Sequence, residues 1–370
     1  MNKTQISLLS LLSYKLFSKG KAIELSEPII EEAKLQAVSS LITKDYQIIA
    51  NNIRVDAAHA ELTETLKGIP FVILKGYASA YYYPEPTYRV MGDVDFYVAP
   101  KHYKSAYQRM IQNGYKQSTK EHERHEAFGK GKVHFELHSE IKGIPNGKDG
   151  IKVASPKAEK IVRHYLDDVI KTAQTVETQH GQIIIPDDFH HGLIMLLHVA
   201  GHIINDGGVG LRHLCDWAVY ADKVDISKYR LQLKEMGLWR FACQLTAVST
   251  KYLGLKKYSW CEKFDNEFLK TFIEDILNAG NFGRKAAGRS GGLDLIRSKN
   301  IFKSYATMTK KRFPFCNKYP MLLPIGMIMY VFRYLGTRLS GKYKWVQLNT
   351  IKEAKNRKNI YDQFKLFQKY

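Results

Sequence analysis

The sequence predicts an α+β fold: a small mixed-sheet unit with N-terminal helices and a larger C-terminal helical region. Three observations predict it. Short apolar runs alternate with helix-like stretches from about residue 69 to 138, the texture of a compact unit of strands and helices. Gly and Pro close its segments, at Gly68, Pro84, Pro86, Pro100 and Gly114, as chain breakers do. Beyond about residue 155 the apolar residues recur at spacings of three and four, as in Leu193, Leu196, Leu197 and Ala200, the period of a helix with one buried face.

Taken in order, residues 1–50 read as helical, with Leu8, Leu9, Leu12 and Leu16 at helix spacing. A second helix is expected over 52–67, ended by Gly68. Phe71 to Leu74 is an apolar run suited to a buried strand. Lys75-Gly76 follows, then a Tyr/Ala helical segment to Tyr83. Asp93 to Val98 reads as a strand, 101–113 as a helix, and 132–138 as a strand entered through Gly129-Lys130-Gly131. Helices are expected over 156–175, 187–204, 210–223, 229–253 and 262–278. The resulting division is an N-terminal helical segment (1–68), a catalytic unit (69–150), a helical domain (151–280) and a basic, aromatic-rich helical region (281–370).

Composition bounds the function. At 370 residues, 45% hydrophobic and 25% charged, the chain is a folded protein. Its four cysteines, Cys215, Cys243, Cys261 and Cys316, form neither a disulfide framework nor a zinc pair. A reducing, cytoplasmic setting is the expectation. The start of the chain shows no long apolar core and no small-residue cleavage site, so secretion is not expected. The greasiest run, Met321 to Leu335, contains Pro324 and Arg333 and falls short of the roughly 18 apolar residues of a spanning helix. The net charge of +20 is uneven: residues 281–370 hold 20 Lys and Arg against three acids, while the first 280 residues stand at +3.

The chemistry points to Asp93, Asp95 and Glu136. Side chains alternate along a strand, so Asp93 and Asp95 share a face while Val94, Phe96 and Val98 take the other. In 132–138, Glu136 shares its face with His134 and His138, opposite Val133, Phe135 and Leu137. Adjacent carboxylates repel unless a cation or proton intervenes, and Mg²⁺ prefers oxygen ligands. If the two strands are neighbours, the three acids could hold one or two Mg²⁺ ions, as phosphoryl and nucleotidyl transfer require. An Asp-x-Asp pair alone fits two solvated acids at a turn or strand end better than a metal site.

Three stretches, Val72-Ile73-Leu74-Lys75-Gly76-Tyr77-Ala78, Tyr88-Arg89-Val90-Met91-Gly92-Asp93-Val94-Asp95 and Phe135-Glu136-Leu137-His138, carry a likeness. A fourth runs from His198-Val199-Ala200-Gly201-His202 to Gly210-Leu211-Arg212-His213-Leu214-Cys215-Asp216. Together they resemble the uncharacterised nucleotidyltransferase family of the polymerase-β superfamily. The resemblance implies Mg²⁺ on Asp93, Asp95 and Glu136. It implies transfer of a nucleoside monophosphate from an NTP, with ATP the expected donor, to an acceptor, releasing pyrophosphate. The resemblance does not name the acceptor; a small molecule, a sugar or a protein is the expectation. One departure matters: the Gly-Ser pair that usually precedes the aspartates is missing, and the nearest counterpart, Lys75-Gly76, lies 17 positions before Asp93. A scaffold that binds nucleotide without turnover is therefore one alternative, and an RNA-binding or RNA-modifying protein, suggested by the basic end, is the other.

The supporting residues each have a plainer reading. Lys75 could add charge to a phosphate site at a helix start beginning at Gly76, or simply cap a core strand. Arg89 could grip a phosphate or a metal-site carboxylate, or form a structural ion pair. Gly92 would let the chain approach a ligand closely. His138 could orient a carboxylate, meet the acceptor or accept a proton, or be a hydrogen-bonded structural histidine. His198 and His202 stand one helical turn apart with Asp206 beyond. Zinc can use such spacing, but Val199 occupies the place of the hydrolase glutamate. The expected role of these groups, with Arg212 and Asp216, is a polar network docking the helical domain. For 281–370, with Lys310-Lys311-Arg312 and Tyr343, Trp345, Tyr361, Phe364, Phe367 and Tyr370, three readings stand: an RNA surface, an anionic membrane surface, and a solvated helical appendage.

Overall fold

The computed structural model describes residues 50–118, 126–146, 156–203, 208–280, 301–339 and 357–368. The helices expected before residue 50, the Gly/Arg-rich loop 283–293, Asp206, Tyr343, Trp345 and Tyr370 lie outside the described residues.

A five-stranded mixed sheet is the first half of the fold. Helix α1 (50–65) leads to β1 (Phe71–Ile73), a single helical turn α2 (Tyr77–Ala80), β2 (Val94–Val98) and α3 (Pro100–Gln112). Then come β3 (Lys116–Gln117), β4 (Glu126–Lys130) and β5 (Val133–His138). The strand order is β1-β2-β5-β4-β3. Only β2 and β5 run parallel; β1 pairs antiparallel with β2, and β4 with both β3 and β5. The crossover between the parallel pair carries α3, which begins with Pro at its first position, where no amide donor is needed.

Alternation decides the faces. Val94, Phe96, Val98, Val133, Phe135 and Leu137 are buried in a core shared with Val55, Leu62 and Leu66 of α1 and with Ala106 and Met110 of α3. The opposite face of β1 sends Val72 into the second, larger core, which Leu74 joins just beyond the strand. The sheet is thus covered on one side by α1 and α3, and on the other by the helical half.

That half comprises α4 (Pro156–Leu166), the hairpin β6 (Gln174–Thr178) and β7 (Gly181–Ile185), then α5 (Asp188–Gly201), α6 (Leu211–Lys223), α7 (Arg230–Glu235), α8 (Trp239–Tyr252) and α9 (Asn266–Ala279). Asp187 caps α5 by accepting the His190 amide at 2.8 Å. Trp217, Trp239, Phe241 and Phe272 fill its core. Next come α10 (Ile301–Arg312), α11 (Phe315–Lys318) and α12 (Leu323–Leu339), and last a short helix α13 (357–362).

Three differences from the sequence reading have physical causes. The helix expected over 156–175 ends at Leu166, and its last residues enter the hairpin, where Val176, Ile183 and Ile185 alternate into the sheet-side core. The helix expected over 229–253 is two helices broken at Gly237. The break lets the chain end dock: the Phe367 amide donates to the Gly237 carbonyl at 3.0 Å. Residues 357–368 are accordingly no solvated appendage. Ile360, Phe364 and Phe367 are buried in the helical core, and Tyr361 donates to Asp275 at 3.0 Å.

Candidate active site

The site is built at the carboxyl ends of β1 and β5 and the amino end of β2, where the sheet faces the helical half. In the parallel pairing, Asp95 lies directly opposite Glu136, and Tyr97 opposite His138. Neighbouring strands lie about 4.8 Å apart, so this register alone brings the two carboxylates together. One ligand atom each from Asp95, Glu136 and His138 lie within 4.8 Å of one another.

Charges then organise the cluster. Lys75 Nζ is 2.8 Å from Asp95 Oδ1, and Lys142 Nζ is 2.9 Å from Glu136 Oε2 and 3.8 Å from Asp95 Oδ1. The buried His138 brings Nε2 within 3.0 Å of Asp95 Oδ1 and 3.3 Å of Glu136 Oε2, so its N–H bridges the two acids. Burial opposes ionisation of Asp95, but Lys75, His138 and Lys142 override it and hold the carboxyl well below its ordinary range. Glu136 is lowered by the same balance: burial opposes, and His138 and Lys142 prevail over the Asp95 charge. Asp93, just before β2, is exposed. Partial burial, then the charges of Asp95 and Glu136, raise its pKa. The structure thus brings Asp95, Glu136 and His138 together, while Asp93 stands outside that close cluster and feels the charges of Asp95 and Glu136.

Two Lys-Gly dipeptides supply the lysines, each just past a strand end. Gly76 has φ +66°, and a Cβ there would stand 2.9 Å from His59 Nε2. Gly143 has φ +88°, and a Cβ there would collide with the Leu197 carbonyl of α5. This close approach pins the loop that presents Lys142. Lys142 did not figure among the sequence candidates; Lys-Gly also occurs at Lys19-Gly20, Lys67-Gly68 and Lys130-Gly131, so the dipeptide by itself does not mark it. Two asparagines of α1 were equally unmarked. Asn52 donates to the Thr87 and Arg89 carbonyls at 2.7 and 2.9 Å and accepts the Met91 amide at 2.9 Å. Asn51 donates to the Met91 carbonyl at 2.9 Å. Together they clamp the loop that delivers Asp93.

Other candidates fall elsewhere. Arg89 is buried and holds Asp216 through Nε and Nη2, both at 2.8 Å, with Tyr83 donating to the same carboxylate at 2.8 Å. Of its two readings, the structural ion pair is the one formed; it joins the sheet unit to α6. Arg212 donates to the Val90 carbonyl at 2.8 Å. Asp216 takes its bidentate partner from Arg89 across the domain junction. Gly92 is exposed and a Cβ there would meet open space, so the fold itself does not require glycine. A helix does start at Gly76, the N-cap of α2, but α2 is one buried turn, too short for much of a helix field. His134 is exposed.

His198, His202 and His213 converge beside the site, within electrostatic reach of Lys75 and Asp95. His198 and His202 share a hydrogen bond between their Nε2 atoms at 3.1 Å, and the Gly210 amide donates to His213 Nδ1 at 3.1 Å. Burial, aided by neighbouring positive charge, holds His198 and His213 well below the ordinary histidine range. The contacts join the imidazoles to one another and to the backbone of the helical half; the bonds that cross to the sheet unit are those of Arg212 and Asp216.

The donor set around Asp95 suits a hard cation. It offers carboxylate oxygens, and its three acids outnumber its two lysines, leaving net negative charge for a cation to offset. No curated protein and no solved structure matches this chain. A family profile described as Uncharacterised nucleotidyltransferase matches residues 29–254, which takes in the sheet, both Lys-Gly turns, the carboxylate cluster and α5 to α8. With well over half of its length inside that profile, the chain belongs to the uncharacterised nucleotidyltransferase family.

Proposed function

We propose that this protein moves a nucleoside monophosphate from an NTP, ATP in the first instance, to a hydroxyl-bearing acceptor, using Mg²⁺. The acceptor is a small molecule, a sugar or a protein side chain. In the reaction the acceptor hydroxyl gives up its proton to solvent, its oxygen bonds to the α-phosphorus, the bond to the β-phosphate bridge breaks, and pyrophosphate leaves. The observation that carries this reading is the register pairing of Asp95 with Glu136.

Asp93, Asp95 and Glu136 would hold the cation, which when bound supplies Lewis-acid stabilisation of the phosphoryl charge. The remaining work falls to the chain. His138, bridging both inner carboxylates, fixes their orientation. Lys75 and Lys142 balance the acids and are the cations available to triphosphate oxygens, a role lysine fills as a point charge. Lys75-Gly76 and Lys142-Gly143 would thus do the work of the missing Gly-Ser pair with side-chain charge. The test is pyrophosphate release from each labelled NTP with Mg²⁺ and candidate acceptors. Activity that disappears in Asp93→Ala supports the reading; activity unchanged in that variant removes it. Calorimetric binding of ATP and Mg²⁺ without turnover would assign the chain to the non-catalytic alternative.

A further inference from the structure

The segment 301–339 has properties that the nucleotidyl-transfer reading does not use. Of 15 large apolar side chains exposed among the described residues, 11 lie between Phe302 and Leu339. In the same 39 positions the sequence has seven Lys and Arg and no acid. Apolar exposure on this scale marks an interaction surface, and here it coincides with unbalanced positive charge.

Helix α12 is two-sided. One side packs on α10 and α11: a Cβ at Gly326 would collide with Cys316 Sγ, and Tyr305 donates to the Met327 carbonyl at 2.5 Å and meets Tyr330 edge-on at 5.5 Å. The other side carries Ile325, Ile328, Met329, Phe332, Leu335 and Leu339, all exposed. Their spacing of three and four makes one stripe along the helix. Phe332 is 70% and Ile328 57% accessible. Arg312, Lys318 and Arg333 are exposed on the same hairpin. No described helix is long and apolar enough to cross a membrane.

We propose that the α10–α12 hairpin docks this protein on an anionic phospholipid bilayer. Helix α12 lies in the plane of the interface with its apolar stripe among the acyl chains, and the basic residues meet lipid phosphates. The alternatives fit less well. RNA would use the charge but leave the aliphatic stripe in water. A second copy of this segment would bring the exposed Arg312, Lys318 and Arg333 against like charges, with no acid in 301–339 to offset them.

The experiment is co-sedimentation of the full chain with vesicles of phosphatidylcholine alone or mixed with phosphatidylglycerol. Binding to the mixed vesicles is expected to be about tenfold stronger or more, and to weaken as salt is added. Ile328→Ser combined with Phe332→Ser, both exposed, should keep the wild-type melting curve and lose about tenfold or more in partitioning. Leu231→Ser, an exposed apolar residue outside the hairpin, should bind as wild type. The proposal is overturned by no preference for anionic vesicles, or by an unaltered double variant. It is equally overturned if RNA binds the hairpin while vesicles do not, or if the double variant abolishes a dimer while vesicles retain nothing. None of these outcomes depends on nucleotide turnover, so the proposed transfer reaction stands or falls separately.

Discussion

Lys75 and Asp95 meet across the edge of the sheet, Nζ to Oδ1 at 2.8 Å, and Lys142 approaches the same oxygen at 3.8 Å from the other side. One buried carboxylate thus organises two ammonium groups carried by two Lys-Gly turns. In Asp95→Asn the lysines lose their shared counter-charge and the cluster loses its innermost oxygen ligand. Pyrophosphate release is expected to fall about a hundredfold or more, with the melting temperature read alongside to show a folded variant. Turnover within a few-fold of wild type would remove Asp95 from the machinery.

Lys142→Ala is expected to act on nucleotide binding more than on the chemical step. Its ammonium faces Glu136 and Asp95, and under the proposed function it is a cation available to the triphosphate. The expected result is a KM for the NTP raised about tenfold, with kcat reduced less. A fall in kcat at constant KM would assign Lys142 to the transition state instead.

The Arg89–Asp216 pair is buried on both sides and bidentate. Asp216→Ala leaves an uncompensated guanidinium in the junction between sheet and helices. The expected loss is about 3–5 kcal/mol in urea unfolding. The double variant with Arg89→Ala should recover part of that loss, because it removes the stranded charge. Simple additivity of the two single losses would show that the groups do not couple.

Gly76→Ala forces a side chain into φ +66° and against His59 Nε2. A loss of about 1–3 kcal/mol is expected. Adding His59→Ala should relieve the contact but not the backbone strain, so recovery should be partial. Complete recovery would assign the whole cost to the contact.

Acid should destabilise the protein through its buried histidines. Burial depresses His59 to about 4 and His191 to about 3, from an ordinary value of 6.5. Between pH 6.5 and 4 the unfolded chain binds protons that the folded chain refuses, so stability rises with pH in that window and falls on acidification. At pH 5 each histidine should account for about 2 kcal/mol of lost stability. Neither ring nitrogen of His191 has a hydrogen-bond partner among the described residues, and the ring stacks on Tyr82 at 4.9 Å. His191→Phe should therefore flatten the pH dependence of the urea midpoint by about one proton, with no loss at pH 7. An unchanged slope would place the acid sensitivity elsewhere.

Much of the site was legible before folding was considered. Alternation around Asp95 and Glu136 made the faces readable, because a strand's period of two leaves one choice once its apolar face is known. The hairpin β6–β7 was missed although Val176, Ile183 and Ile185 alternate. A helix pattern running up to residue 175 masked its start. Arg89 was ambiguous because its partner lies 127 positions away, beyond any local spacing rule.

The sequence by itself determined the strand faces, the family and the concentration of positive charge toward the chain end. These depend on residue type and short periods. Only the tertiary structure decided that Asp95 sits opposite Glu136 rather than one residue away, and that Lys142 joins them. It alone decided that Arg89 serves the domain junction, and that Phe364 and Phe367 are core while Phe332 is surface. The physical reason is that pairing register and helix docking are settled by which surfaces exclude water together. That is a property of the whole chain, and no local stretch encodes it.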